Sequence, residues 1–238
     1  MYEVGSPGEW VIGQKWKRRA SGSLRAAGAV LLGVAAAASF VAVALAGAPV
    51  WRALAAVAGA ASAAGCWYLW AGARDALKQA GQASVGVRSE REVRSVLRGT
   101  NSVVAAAYGL KLGERAGDCD VVVFTREGGA VAIEVKTGHG VVTLENGTMR
   151  VGTRRLQKSP TAQAGDQARR LSRMLGRKAV LAVVCVPGMS NRPFSTEQGV
   201  WVCAKKDLRE VLRRAPRVFG SAAEAEQTMK RLWEKNAT

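Results

Sequence analysis

Ligands of the zinc kind are scarce in this chain. His139 is the only histidine, and the four cysteines, Cys66, Cys119, Cys185 and Cys203, include no Cys-x-x-Cys pair. A structural zinc site needs four such ligands close together, so that class is set aside. Cys66 lies in an apolar segment, and Cys185 and Cys203 lie in strand-like runs. The expectation is buried free thiols in a reducing compartment. Acidic residues are also few, 18 against 35 Lys and Arg, for a formal charge of +17. That imbalance implies attraction to polyanions, either nucleic acid or anionic lipid. The basic residues are not interleaved with aromatics, and no helix-turn-helix or zinc-finger spacing occurs. Neither base stacking nor base readout is therefore indicated. No internal repeat is present.

Charge itself is missing from residues 24–73, where Arg25 and Arg52 are the only ionisable basic or acidic side chains. Within that stretch, LRAAGAVLLGVAAAASFVAVALA (24–46) and ALAAVAGAASAAGCWYLWAG (53–72) each approach the roughly 20 apolar residues that cross a bilayer. GAPVWR between them is short enough for a tight turn only. The pattern predicts a two-span transmembrane helical hairpin, with small residues such as Gly59, Ser62 and Ala63 at the helix contact. Lys15, Lys17, Arg18, Arg19 and Arg25 precede the first span, and Arg74, Lys78 and Arg88 follow the second, against Arg52 alone in the turn. The positive-inside rule then places both termini in the cytoplasm, at the cell (inner) membrane. Two blander readings compete. ALAGA resembles a signal-peptide cleavage site, but the apolar region is long and a second span follows at once. Alternatively, both segments are buried helices of a soluble protein, although nothing else in the chain looks like a partner for so much apolar surface.

Residues 74–238 hold 29 basic and 16 acidic side chains. Residues 74–100 are predicted to be an amphipathic helix, with Val93, Val96 and Leu97 on one face and Gly99 as its stop. Strands are expected at 120–124, 130–135, 140–144 and 149–151, with Asn146-Gly147 as a hairpin signal. Residues 160–176 read as a helix with Pro160 near its first turn. AVLAVVCV (179–186) fits a buried central strand and VWVC (200–203) another. Two C-terminal helices follow, with Asp207 and Ser221 as expected caps. The order describes an α/β domain whose sheet is covered by helices.

The chemistry concentrates in DCDVVVFTREGGAVAIEVKTGHG (118–140). Side chains alternate faces along a strand, so Glu134 and Lys136 project to the same side. The antiparallel partner strand brings Asp120 near Glu134. Two close carboxylates repel unless a cation sits between them, and a hard divalent ion such as Mg²⁺ satisfies both through oxygen ligands. A lysine beside it would hold the attacking water or stabilise charge on a phosphate. Asp118 shares the strand face of Asp120; Asp120 is preferred because it directly precedes the apolar run. His139 reads as a loop residue near the site, and Glu90 has Arg94 at i+4 as an ordinary pairing partner.

Taken in order, Glu90 in "GVRSERE", Asp120 in "CDVVVF", Glu134 and Lys136 in "IEVK", and Pro160 with Gln163 in "SPTAQ" resemble the nuclease-related domain (NERD) family of the PD-(D/E)xK nuclease superfamily. The resemblance covers roughly residues 84–186. Ser89 stands where the family often has Gly, and Ser159 where Asn is common; neither replaces an expected metal ligand.

The resemblance implies a restriction-endonuclease-like mixed sheet flanked by helices, preceded here by the transmembrane hairpin. The expected partition is a cytoplasmic segment 1–23, the hairpin 24–73, a linker 74–83, the nuclease-related α/β domain 84–204 and C-terminal helices 205–238. Asp120 and Glu134 would bind Mg²⁺ with the Val135 carbonyl. Lys136 would act on the water, Glu90 would assist, and Gln163 would position Lys136 or the phosphate. Arg154, Arg155, Lys158, Arg169 and Arg170 would hold a phosphate backbone, DNA being the expected partner. The expected function is phosphodiester hydrolysis at a membrane. The alternative is a catalytically weak or inactive membrane-tethered module that binds nucleic acid or docks a partner.

Overall fold

A computed structural model describes residues 1–6, 9–45, 47–113, 118–156 and 159–236. The chain forms two units, Trp10–Ser84, and Met1–Glu9 together with Val85–Thr238.

Two helices, α1 (Glu9–Leu45) and α2 (Pro49–Arg98), make up the first unit and reach into the second. Neither contains an interior proline, and Pro49 opens α2 at a position where its missing N–H has no intrahelical partner. Two segments, Arg19–Leu45 and α2, are long and apolar enough to cross a membrane. Leu24, Leu31, Phe40, Leu54 and Trp67 all face outward. A core helix of a soluble protein would hide such side chains. The two helices touch through small residues instead: Gly28 lies against Leu69, Gly33 against Cys66, and Gly59 against Ser39 and Phe40. Gly59 thus meets expectation, Ser62 is half-buried, and Ala63 is exposed. The stretch 74–83, expected to be a linker, is helical and lies in the middle of α2.

In the second unit a seven-stranded mixed sheet carries the architecture. Its strands are β1 (Tyr2–Val4), β2 (Val103–Lys111), β3 (Asp118–Thr125), β4 (Ala130–Val135), β9 (Leu181–Cys185), β11 (Phe194–Ser195) and β12 (Trp201–Cys203), in the order β1-β2-β3-β4-β9-β12-β11. β2, β3 and β4 form an antiparallel meander. The chain then crosses over through α3 (Pro160–Met174) so that β9 lies parallel to β4, and β12 lies parallel to β9. Between β4 and α3, β5 (His139–Gly140) pairs with β10 (Gly188–Met189), and β6 (Val142–Glu145), β7 (Thr148–Val151) and β8 (Arg154–Arg155) form a small sheet. Asn146 and Gly147 turn β6 into β7 with φ of 48° and 73°, the left-handed pair that a two-residue hairpin needs.

Strict alternation sorts the apolar side chains onto two faces. On one, Val122, Phe124, Ala132 and Val184 pack against Ala164, Ala168 and Leu171 of α3 and Met229 and Leu232 of α5 (Ala222–Asn236). On the other, Val121, Val123, Ile133 and Val183 pack against Val93 and Leu97 of α2 and Leu208, Val211 and Leu212 of α4 (Leu208–Leu212). Cys119, Cys185 and Cys203 are buried free thiols, as expected. Ser159 caps α3 by accepting from Ala162 N at 3.3 Å, and Ser221 caps α5 by accepting from Glu224 N at 3.1 Å. The expected cap by Asp207 is corrected. A 3₁₀ turn, Lys205–Asp207, runs directly into α4, so Asp207 has helical backbone angles and its side chain caps nothing.

Candidate active site at the ends of the central strands

β3 and β4 pair with Val121 opposite Ile133, so Asp120 and Glu134 are the next pair along and share a face of the sheet. Both lie where the apolar strands run out. The Asp120 carboxylate takes the place of a ladder carbonyl: its Oδ2 accepts from Val135 N at 2.7 Å. Glu134 is only 1% exposed, in a position that the alternation of β4 dedicates to the core beneath α3. A buried carboxylate must be paired or hydrogen-bonded, and both its oxygens are. Oε1 forms an ion pair with Lys136 Nζ, two residues on and on the same face. Oε2 accepts from Gln167 Nε2 at 2.7 Å.

α3 supplies two glutamines one turn apart. Gln163 Oε1 accepts from Lys136 Nζ at 3.4 Å, and Gln167 Nε2 also donates to the Asp118 carbonyl at 3.3 Å. Sequence reasoning misses Gln167, although a signal for it exists. It lies four residues after Gln163, among Ala164, Ala168 and Leu171, as a polar residue in an apolar stripe.

The electrostatics are unbalanced. Burial, then the charge of Glu134, pushes the Asp120 carboxyl up to about 8; Glu90 adds to the rise, while the Val135 N–H and Lys136 oppose it. Glu90 stands on α2, close enough for its charge to act on Asp120. Arg94 pairs with Glu3. Among the described residues Asp120 and Glu134 therefore share one ammonium group, that of Lys136, which is a deficit of positive charge in a buried place.

That deficit is the test of fit for a divalent cation, and the site passes it. The donors are all oxygen, as a hard ion requires, and Mg²⁺ is commonly held by one or two carboxylates plus waters. Among the described residues no group of three or more His, Cys, Asp or Glu side chains stands at ligand spacing. A cage of protein ligands alone is thus not what these residues offer.

The other candidates lie outside this cluster. Asp118 offers its carbonyl to Gln167, while its side chain is exposed. His139 is exposed in β5 beside Gly188. Arg154 and Arg155 are exposed on β8, and Lys158 falls outside the described residues. Arg169 pairs with Asp166, and Arg170 is half-buried. Arg169 and Arg170 line, with Arg173, Arg177, Gln198 and Gly199, a cleft of about 590 Å³. Among the described residues none of these arginines hydrogen-bonds to Asp120, Glu134 or Lys136.

Residues 85–188 match the family described as nuclease-related domain, a span that holds Glu90, Asp120, Glu134, Lys136, Gln163 and Gln167. No curated protein and no solved structure matches the chain. The family thus accounts for residues 85–188, less than half of the chain, and is a statement about that segment.

Proposed function

We propose that the protein is a membrane-anchored, cytoplasm-facing, Mg²⁺-dependent nuclease that hydrolyses phosphodiester bonds in DNA. One observation carries the reading: Glu134, all but inaccessible, shares its strand end with Asp120 and a single lysine. Asp120, Glu134 and the Val135 carbonyl would hold the ion. When bound, it supplies positive charge against the phosphate oxygens of the scissile group. Lys136 points its ammonium into the same space and orients the attacking water, while the Gln163 carbonyl holds that ammonium in place. Glu90 assists in orienting the water. Arg154, Arg155, Lys158, Arg169 and Arg170 bind phosphates without reading bases. The two apolar helices cross the membrane, and the basic flanks keep both termini on the cytoplasmic side.

The test is cleavage of labelled duplex DNA, single-stranded DNA and RNA by the full chain in detergent micelles, with Mg²⁺ or with a chelator. Mg²⁺-dependent cleavage of DNA is expected. Equal cleavage in chelator, or none in Mg²⁺, refutes the reading.

One observation favours a second reading, a weak or inactive nucleic-acid-binding module: both Glu134 oxygens are already engaged, by Lys136 and Gln167. Salt-sensitive DNA binding without cleavage would select it.

A further inference from the structure

Gln167 is 5% exposed, and its surroundings settle which way its amide faces. Turned over, its carbonyl oxygen would meet the Glu134 carboxylate at the present 2.7 Å, oxygen against oxygen. Only the amide nitrogen suits that place. Its two N–H groups serve two acceptors, Glu134 Oε2 and the Asp118 carbonyl. The cost is a buried Oε1 with no partner among the described residues. Burying an unpaired carbonyl is unfavourable, so the hydrogen bonds made by the amide nitrogen outweigh it. Gln163 uses the opposite end of the same functional group, its carbonyl, on Lys136. Along one stripe of α3, one glutamine therefore donates to the acid and the other accepts from the ammonium.

We propose that Gln167 is a positioning residue. By tying Glu134 Oε2 to the end of β3, it fixes the carboxylate plane and leaves Oε1 as the oxygen that Lys136 and a divalent cation share. The inference rests on the divalent-cation reading above. It assigns a division of labour: Gln167 sets the affinity for the cation, whereas Gln163, whose side-chain carbonyl accepts from Lys136, sets the lysine. Partners that hold a ligating carboxylate typically change metal affinity by about 10–100-fold when removed.

The test is isothermal titration of Mg²⁺ into the full chain in detergent micelles, for wild type, Gln167→Met and Gln163→Met, with DNA cleavage measured across Mg²⁺ concentrations. Gln167→Met is expected to weaken Mg²⁺ binding by about 10-fold or more, and to raise the half-saturating Mg²⁺ for cleavage by the same factor. The rate at saturating Mg²⁺ should return to within about threefold of wild type. Gln163→Met should leave the Mg²⁺ affinity within about threefold and lower the saturated rate. Circular dichroism and thermal melting show whether each variant is folded. If Gln167→Met does not fold, Gln167→Asn, which keeps the amide but not its reach, is expected to show the same weakening. Folded Gln167 variants with wild-type Mg²⁺ affinity overturn the inference while leaving the nuclease reading intact. So does equal weakening by Gln163→Met, since α3 would then be acting as a whole. A wild-type chain that neither binds Mg²⁺ nor cleaves overturns both.

Discussion

Glu3 and Asp120 are carboxylates drawn out of water at two places in the same sheet, and they respond in opposite directions. Glu3, on the edge strand β1, receives hydrogen bonds from Arg98 at 2.6–3.0 Å and from Arg94 at 3.0 Å, with the Tyr108 hydroxyl at 3.4 Å. Hydrogen bonding by Arg98 leads the forces that hold its carboxyl below the usual range, and they outweigh its burial. Asp120 has one backbone N–H and a share of one lysine, faces Glu134 and Glu90, and is held up at about 8. Two arginines around one acid make a finished ion cluster that fastens β1 to α2 and the sheet. One lysine between Asp120 and Glu134 makes an unfinished one. The contrast separates an acid whose charge its neighbours balance from an acid whose charge they do not.

The widest gap should appear in activity. Glu134→Gln and Lys136→Ala are each expected to lower Mg²⁺-dependent DNA cleavage by about 10²–10⁴-fold, whereas Glu3→Gln keeps the rate per folded molecule within about twofold. A duplex-cleavage time course checks all three, and a large loss in Glu3→Gln would break the distinction.

Stability should show the reverse order. Glu3→Gln removes the carboxylate shared by Arg94 and Arg98, and is expected to lower the thermal unfolding midpoint by about 3–6 °C. Asp120→Asn keeps an acceptor for the Val135 N–H and removes a charge with too few partners. In chelator at pH 8 its midpoint should equal or exceed that of wild type, as read by thermal melting.

The pH dependence sharpens the comparison further, because the signs differ. The folded chain keeps a proton on Asp120 up to about 8, where the unfolded chain loses it near the ordinary value of 3.8. Metal-free stability from this group is therefore present at low pH and lost as pH rises from about 4 to 8. The lowered carboxyl of Glu3 does the opposite: its contribution is present above the ordinary value of 4.5 and lost as pH falls through the folded one. Denaturant melts of wild type, Asp120→Asn and Glu3→Gln from pH 3 to pH 9 should lose the alkaline slope in the first variant and the acid slope in the second.

The smallest effect concerns basic residues. Arg94 and Arg98 are occupied by Glu3, while among the described residues Arg154 and Arg155 have no ion-pair partner. Arg155→Ala should weaken DNA binding modestly and reduce its salt slope by about 0.9, the share of one phosphate that is no longer neutralised. Arg98→Ala should not change that slope. Binding isotherms at several salt concentrations decide it.

Much of this arrangement is legible in the sequence where local pattern and packing agree. The runs around Asp120 and Glu134 alternate cleanly, so strand placement, pairing and the shared face all follow. AVLAVVCV takes the central place its continuous apolar character implies. β2 is not legible, because VVAAAYGLK has three alanines in its middle and weak strand preference; its burial between β1 and β3 decides it. β1 has three residues and no pattern to read, and its place follows from distant partners: its parallel pairing with β2, the core beneath Tyr2 and Val4, and Glu3 reaching Arg94 and Arg98. Gln167 is hidden for a related reason. A glutamine on a helix usually faces water, and its burial follows from Glu134, which no local window contains.

The central claim is that a divalent cation completes the Asp120–Glu134–Lys136 cluster. Titration calorimetry of the full chain with Mg²⁺ at pH 7, in two buffers of different ionisation enthalpy, tests it most directly. The account predicts saturable binding of Mg²⁺ that releases about one proton per ion, as Asp120 gives up the proton it holds to about 8, with both signals lost in Asp120→Asn. Absence of binding, or binding that is unchanged in Asp120→Asn, would contradict it.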